Sequence, residues 1–406
     1  MNYVFISPNY PTINYKYCQA LAARGITVLG VGDTPYDALD ERLKRALTEY
    51  YFVGDLNNFS SQVAALTYFQ WKYGQIDYLE SNNEWWLNTD AQLRAQFNIQ
   101  GSLMPSDMEG IKAKSAMKEF FARAGAKTIR HILYKDRNDE RALRDFVAKV
   151  GYPIFAKPNI GVGAGDSHSI KNEQELRGFL EKTLPEPYIV EEYIDGVIVS
   201  FDGVCDGDSN VVFATSDHFP TPIADIVNKR LDYCYYDIPF GLEMDDIDAK
   251  EFFETGKRVV KSFGIRKRMF HIEFFVLGSD RPGLGKKGDF VALECNMRAP
   301  GGYTPDLMNF GNSLSMYDVY ADVIAYNENR QKPGSRPYYA IASHRKNCFQ
   351  YKYSWGDIYG KYNDRICDSG SYPTGIKEVM GDEYIFAKFE NLEDALEFDK
   401  MFREHA

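Results

Sequence analysis

The chain has 406 residues, enough for two or three domains with cores of their own, and its 44% apolar and 26% charged content is that of an ordinary globular protein. A net charge of −11 supplies no basic field, which argues against non-specific binding to nucleic acid or to anionic membranes. No stretch reaches the ~18 apolar residues of a membrane span, and the start MNYVFISPNYP reads as a first strand and not as a signal peptide. Six scattered cysteines without a CxxC fit a reducing compartment, so a cytoplasmic location is expected, with neither zinc nor disulfides.

In chain order, the pattern predicts a strand over 3–6, a helix over 15–24 stopped by Gly25, and strands over 26–31 and 50–53. A helix over 59–73 and a strand over 76–80 follow. This alternation predicts a parallel sheet of the doubly wound kind, and the absence of GxGxxG at its first turn argues against a dinucleotide. Glu84, just past the fourth strand, lies where such sheets place ligands. It is a candidate substrate contact or, alternatively, a helix-start acid. Ser106 and Glu109 have the spacing of a capping box for a helix over 106–124 that presents Lys112, Lys114 and Lys118. Next, the strand of 151–158 ends in Lys157, a costly placement unless something anionic meets it. Gly161, Gly163 and Gly165 follow at once, a loop able to wrap backbone N–H groups around phosphate oxygens.

Strands are predicted over 188–193, 197–205 and 211–215, then a loop containing Pro220 and Pro222 and a helix over 249–263. The most telling stretch is 270–305, FHIEFFVLGSDRPGLGKKGDFVALECNMRAPGGYTP. Period-2 alternation places His271 and Glu273 on one strand face, and Glu294 and Asn296 on one face of the next. Paired as a hairpin, Glu273, Glu294 and Asn296 become a set of hard oxygen ligands, suited to Mg²⁺ or Mn²⁺ and to a nucleotide's phosphates. A solvated face with two unrelated acids is the alternative. After a helix over 315–325 and a linker at 331–337, the remainder reads as several strands and a final helix over 392–403.

Taken in order, the helix lysine, the strand lysine with its glycine flap, the EEYIDG strand, HIEFF and ECNMRAPGG resemble the ATP-grasp superfamily. Within it they are most similar to carboxylate–amine ligase-like proteins. The resemblance spans essentially the whole chain. It implies an α/β (α+β) ATP-grasp fold behind a doubly wound pre-ATP-grasp domain. The implied divisions are 1–104, a lid subdomain over 105–195, a large subdomain with the metal site over 196–335, and a C-terminal region over 336–406.

The same resemblance implies roles. Lys114, eleven residues before Gly125, would reach the ATP α-phosphate, leaving Lys112 and Lys118 as solvated lysines. Lys157 would contact the α/β-phosphates, and Gly161, Gly163 and Gly165 would cover the β/γ-phosphates. Glu191 would accept from the adenine amine, while the backbone of Glu192 and Ile194 reads the ring edge. Glu273, Glu294 and Asn296 would hold one or two Mg²⁺, and Arg298 would stabilise the transferring phosphoryl group or, alternatively, anchor a substrate carboxylate. Many relatives place an acid for the ribose where Val197 and Ile198 stand, so Asp195 or Asp202 is the expected substitute. Glu84, His271, Gly301, Gly302 and Tyr303 are the expected substrate contacts. The implied activity is an ADP-forming ligation of a small carboxylate to an amine, with a homodimer as the expected assembly. A bicarbonate-using carboxylase or carbamoyl-phosphate-type enzyme, or a nucleotide-binding protein without turnover, are the alternatives.

Overall fold

The structure is a computed structural model and describes residues 1–161, 166–182, 184, 186–221, 226, 231–244, 247–332, 334, 336–373 and 377–406. The chain opens with the expected alternation. Strands β1 (Asn2–Ile6), β2 (Thr27–Gly32), β3 (Glu49–Phe52) and β4 (Tyr78–Glu80) pair in parallel in the order β3-β2-β1-β4. Helices Asn14–Ala23 and Phe59–Tyr73 are followed by Gly25 and Gly74 at φ of 74° and 85°, a conformation that costs a glycine little. Because β1 has β2 on one side and β4 on the other, the loops leaving β1 and β4 diverge and open a crevice at their carboxyl ends.

The helix expected over 106–124 is formed differently. Pro105 takes the first helical position, and the Met104 N–H donates to Asp107 Oδ2 at 2.8 Å. The box expected between Ser106 and Glu109 is therefore replaced by a single N–H to carboxylate bond set two residues earlier, ahead of the proline. The helix is also broken in two, Met108–Lys112 and Lys114–Arg123, by extended Ala113 (φ −84°, ψ 110°). Across the break the Lys114 N–H donates to the Asn159 carbonyl at 2.9 Å, which ties this helix start to the end of the strand carrying Lys157.

A small antiparallel sheet follows, β5 (His131–Tyr134), β6 (Ile154–Pro158), β7 (His168–Ile170) and β8 (Tyr188–Glu192), in the order β5-β8-β6-β7. The largest sheet has eight antiparallel strands. They are β9 (Gly196–Cys205), β10 (Val211–Phe219), β11 (Cys234–Pro239), β12 (Arg268–Leu277), β13 (Phe290–Asn296), β14 (Tyr339–Arg345), β15 (Ile366–Ser371) and β16 (Glu383–Phe389). Their order is β13-β12-β9-β10-β11-β14-β16-β15, so the strands after residue 336 continue the sheet that carries the hairpin.

Two parts of this sheet depart from expectation. β10 runs to Phe219 and not to residue 215, because Ser216, Asp217 and His218 stay in the ladder with β9 and β11 despite their polarity. β11 lies in a segment read as loop. Its CYYDIP is buried on both faces, so it shows no clean alternation.

The faces of the sheet differ in character. One packs apolar side chains against helix Ala249–Phe263, with the Phe201 ring so close to Gly256 that a β carbon there would lie 2.4 Å from it. The other carries the polar row described below and is covered in part by helix Thr304–Asn312, whose Gly311 approaches Asp237 just as closely. Among the described residues, no helix is long and apolar enough to cross a membrane.

Candidate active site

The hairpin of β12 and β13 forms the floor of the site. Its antiparallel register sets Glu273 opposite Glu294 and His271 opposite Asn296, and a bulge follows directly after Glu273. The expected set of Glu273, Glu294 and Asn296 thus meets on one face. Among the described residues, no three His, Cys, Asp or Glu side chains are grouped as a metal cage would need. Two carboxylates and an amide do fit a cation that takes its remaining ligands from phosphate and water, as Mg²⁺ does. Both carboxylates already face cations: Glu294 Oε1 lies 3.5 Å from Lys114 Nζ, and Glu273 Oε1 lies 3.0 Å from His271 Nε2.

His271 sits between two carboxylates, since its Nδ1 is 2.6 Å from Asp202 Oδ1 on the neighbouring strand β9. Burial opposes charge on the ring, but Asp202 and Glu273 outweigh it and lift His271 to about 9, so that both nitrogens donate. This corrects two expectations. Asp202 is fully buried, taking a bond from Ser200 Oγ as well as facing His271, and is out of reach of a ribose. His271 is 7% exposed and spends both nitrogens on carboxylates, which makes it a support for Glu273 and not a substrate contact.

Behind Asp202 the sheet carries more acid than expected. Asp217 and Asp237 face each other across β10 and β11 and are both fully buried. Asp237 accepts from Thr215 Oγ1 at 2.5 Å and from Asn312 Nδ2 at 3.1 Å. Burial, then Asp202, drives Asp217 well above the usual carboxylate range; burial drives Asp237 up in the same way. One acid in each of the runs SFDGV, TSDHF and YYDIP was the available signal, the same as for Lys157.

The lysines form the opposite wall. Glu191 on β8 lies 2.9 Å from Lys157 Nζ and 2.7 Å from Lys118 Nζ. Burial works against the carboxylate, yet the two lysines bring Glu191 down to about 2. Lys118 was expected to be solvated. It is instead 4% exposed and donates to the Leu293 carbonyl at 3.1 Å. Lys112, also expected to be solvated, is mostly buried against Glu84 at 3.1 Å. Lys114 Nζ donates to the Gly161 carbonyl at 3.2 Å, which brings the start of the glycine loop to the hairpin acids; Gly163 and Gly165 lie outside the described residues.

Glu192 turns away from this wall, its Oε1 accepting from the Arg130 backbone N–H at 3.1 Å and from Arg130 Nε at 2.9 Å. Ile194 is buried among Ile129, Leu277 and Val291, which fixes the hinge between the small sheet and β9. Asp195 is exposed there, and its carbonyl accepts from Gly278 at 3.0 Å.

Arg298 follows β13, with Nη1 on the Ala299 carbonyl at 2.8 Å and Nε 3.8 Å from Glu84 Oε2. Gly301, Gly302 (φ 58°) and Tyr303 lead into helix Thr304–Asn312, and the Tyr303 hydroxyl meets that of Thr12 at 3.2 Å. Lys114 thus links Gly161 to the hairpin acid Glu294, Arg298 links the end of the hairpin to Glu84 of the N-terminal crevice, and Tyr303 meets the same N-terminal region at Thr12.

No family model matches the sequence. Solved structures do. An N5-carboxyaminoimidazole synthetase from Staphylococcus aureus is 13% identical with a TM-score of 0.70, covering 99% of this chain and 97% of its own. An L-amino acid ligase from Bacillus licheniformis is 13% identical at a TM-score of 0.68, covering 98% and 96%. The biotin carboxylase domain of a Hydrogenobacter thermophilus 2-oxoglutarate carboxylase, solved with MgADP and bicarbonate, is 14% identical at 0.71, covering 97% and 88%. Matches of this kind over nearly the full length of both chains establish the architecture: the chain has the ATP-grasp fold.

Proposed function

We propose that the protein is an ATP-dependent carboxylate–amine ligase. The observation that carries this reading is the pairing of Glu273 with Glu294 beside Asn296, with Lys114 and Arg298 on the same space. Glu273, Glu294 and Asn296 would hold Mg²⁺, or Mn²⁺, which neutralises phosphate charge when bound. With Glu294 so engaged, Lys114 is released toward the α-phosphate. Lys157, held by Glu191, would meet the α/β-phosphates from its own wall, and the loop of Gly161, Gly163 and Gly165 would cover the β/γ end. The carboxylate of Glu191, expected to accept from the adenine amine, is buried and held by Lys118 and Lys157, so the adenine edge falls to the backbone of Glu192 and Ile194, and Asp195 remains the candidate for the ribose.

A carboxylate is a poor electrophile, because expelling oxide from it is prohibitive. Attack of its oxygen on the γ-phosphorus expels ADP and gives an acyl-phosphate. An amine then adds to the acyl carbon, phosphate leaves, and the amine proton passes to solvent. Positioning and charge neutralisation do this work, with Arg298 as the catalytic cation on the transferring group. Gly301, Gly302 and Tyr303 would border the acceptor. The four-part division at 104, 195 and 335, a cytoplasmic setting and a homodimer belong to the same reading. Neighbours that include an L-amino acid ligase support an amino acid as one substrate.

The test is phosphate release from MgATP against pools of amino acids, other small carboxylates and bicarbonate, with Glu294→Ala as the control. Release should need a carboxylate and an amine together, and fall about a hundredfold or more in the variant. Full activity in Glu294→Ala sinks the metal site. Release with bicarbonate alone favours the carboxylase reading, for which a neighbour solved with bicarbonate is the supporting observation.

A further inference from the structure

Glu84 is a third carboxylate at the edge of the site, and it comes from the N-terminal sheet. Its Oε1 lies 3.1 Å from Lys112 Nζ and its Oε2 3.8 Å from Arg298 Nε, with the three side chains 12%, 10% and 19% exposed. The two contacts are unequal. Lys112 also donates to the backbone carbonyl of Glu84 at 3.1 Å, so its ammonium stays in place whatever the carboxylate does. Arg298 is anchored through Nη1 on Ala299, and its 3.8 Å approach to Glu84 is longer than a hydrogen bond. A guanidinium shaped for two-point binding of a carboxylate is thus served by a loose one. The strand end that carries Glu84 is itself polar and buried. Asn82, two residues before Glu84, is 6% exposed, and both polar atoms of its side chain are buried without a partner among the described residues.

Resting on the ligase reading, we propose that Lys112 and Arg298 form the cradle for the substrate's carboxylate, and that Glu84 is its internal occupant until substrate displaces it. The exchange puts one carboxylate in place of another on the two cations, so neither cation is left bare once substrate is bound. Until substrate arrives, Arg298 is held back from the phosphoryl group.

The experiment is calorimetric titration of inorganic phosphate, as an anion probe, into protein saturated with MgADP. A competing internal carboxylate lowers apparent affinity by the fraction of time it occupies the cradle. Glu84→Gln should therefore bind phosphate about tenfold more tightly, and Lys112→Met about tenfold more weakly. Glu84→Asp draws the charge back by one methylene and should shift the affinity in the same direction as Glu84→Gln, by less. Equal or weaker phosphate binding in both Glu84 variants overturns the proposal, because a carboxylate that merely braces Arg298 gives that sign. Absence of MgADP binding in the unmodified protein overturns the nucleotide reading and the cradle with it.

Discussion

Glu80 and Glu191 are both buried between two cations, and the cations differ in kind. Glu80, at the end of β4, is fully buried with Arg94 Nη2 at 3.0 Å and Arg268 Nη2 at 2.7 Å. Glu191 is nearly as buried, but its partners are Lys118 and Lys157. Arg94 spends further N–H groups on the Leu79 and Leu103 carbonyls at 3.1 and 2.6 Å, so its fork is fixed from three sides. Arg268 begins β12, so the pair clamps the N-terminal sheet to the strand that carries His271 and Glu273. A lysine ammonium, by contrast, is a compact charge on a flexible stem that can turn to a new anion at little cost. Arginines close a structural joint here, whereas the lysines are the kind of partner that the proposed nucleotide site needs, one that can turn to phosphate.

The comparison fails if the Glu80 cluster proves dispensable. Glu80→Gln strands two buried guanidinium groups and should lower unfolding stability by about 3–5 kcal/mol, read as a shift of the denaturant midpoint. An unshifted midpoint would mean that the clamp carries no load.

The Glu191 cluster should respond the other way. Lys157→Met leaves Glu191 paired with Lys118, so the unfolding midpoint should move little while MgATP affinity drops about tenfold, or about 1.4 kcal/mol. Unchanged affinity by calorimetry would remove Lys157 from the nucleotide site.

The smallest effect concerns Asp90, beside the clamp, which accepts from the Ser81 N–H at 3.1 Å and from Ser81 Oγ at 2.6 Å. Burial, then Glu80, pushes its carboxyl up to about 7. The unfolded acid ionises near ~3.9, so the native state is penalised as pH rises from there through about 7, and the loss persists above. Asp90→Asn keeps the accepting oxygen and should flatten that decline, raising Tm at pH 8 by about 2 °C. A lower Tm at pH 8 would show that the charge itself is needed beside the arginines.

Much of this was legible in the sequence because it is local. Alternation along 270–296 put Glu273 with His271 and Glu294 with Asn296, and the strand–helix rhythm of the first 80 residues gave a parallel sheet, both as found. Gly25 ends its helix as expected, for a reason confined to one residue's backbone. What the sequence left open depends on partners distant in the chain. Lys112 and Lys118 both read as solvated, yet Lys112 is mostly buried against Glu84, and Lys118 is buried because Glu191 and Leu293 arrive from 73 and 175 residues away. Asp202 looks like a hinge acid until β10 and β12 close over it on either side. Side-chain period and backbone preference are written into neighbouring residues. Which charges lose their water, and which counter-charge meets them, is decided only when separate sheets are brought face to face, because desolvation belongs to the assembled surface and not to the segment.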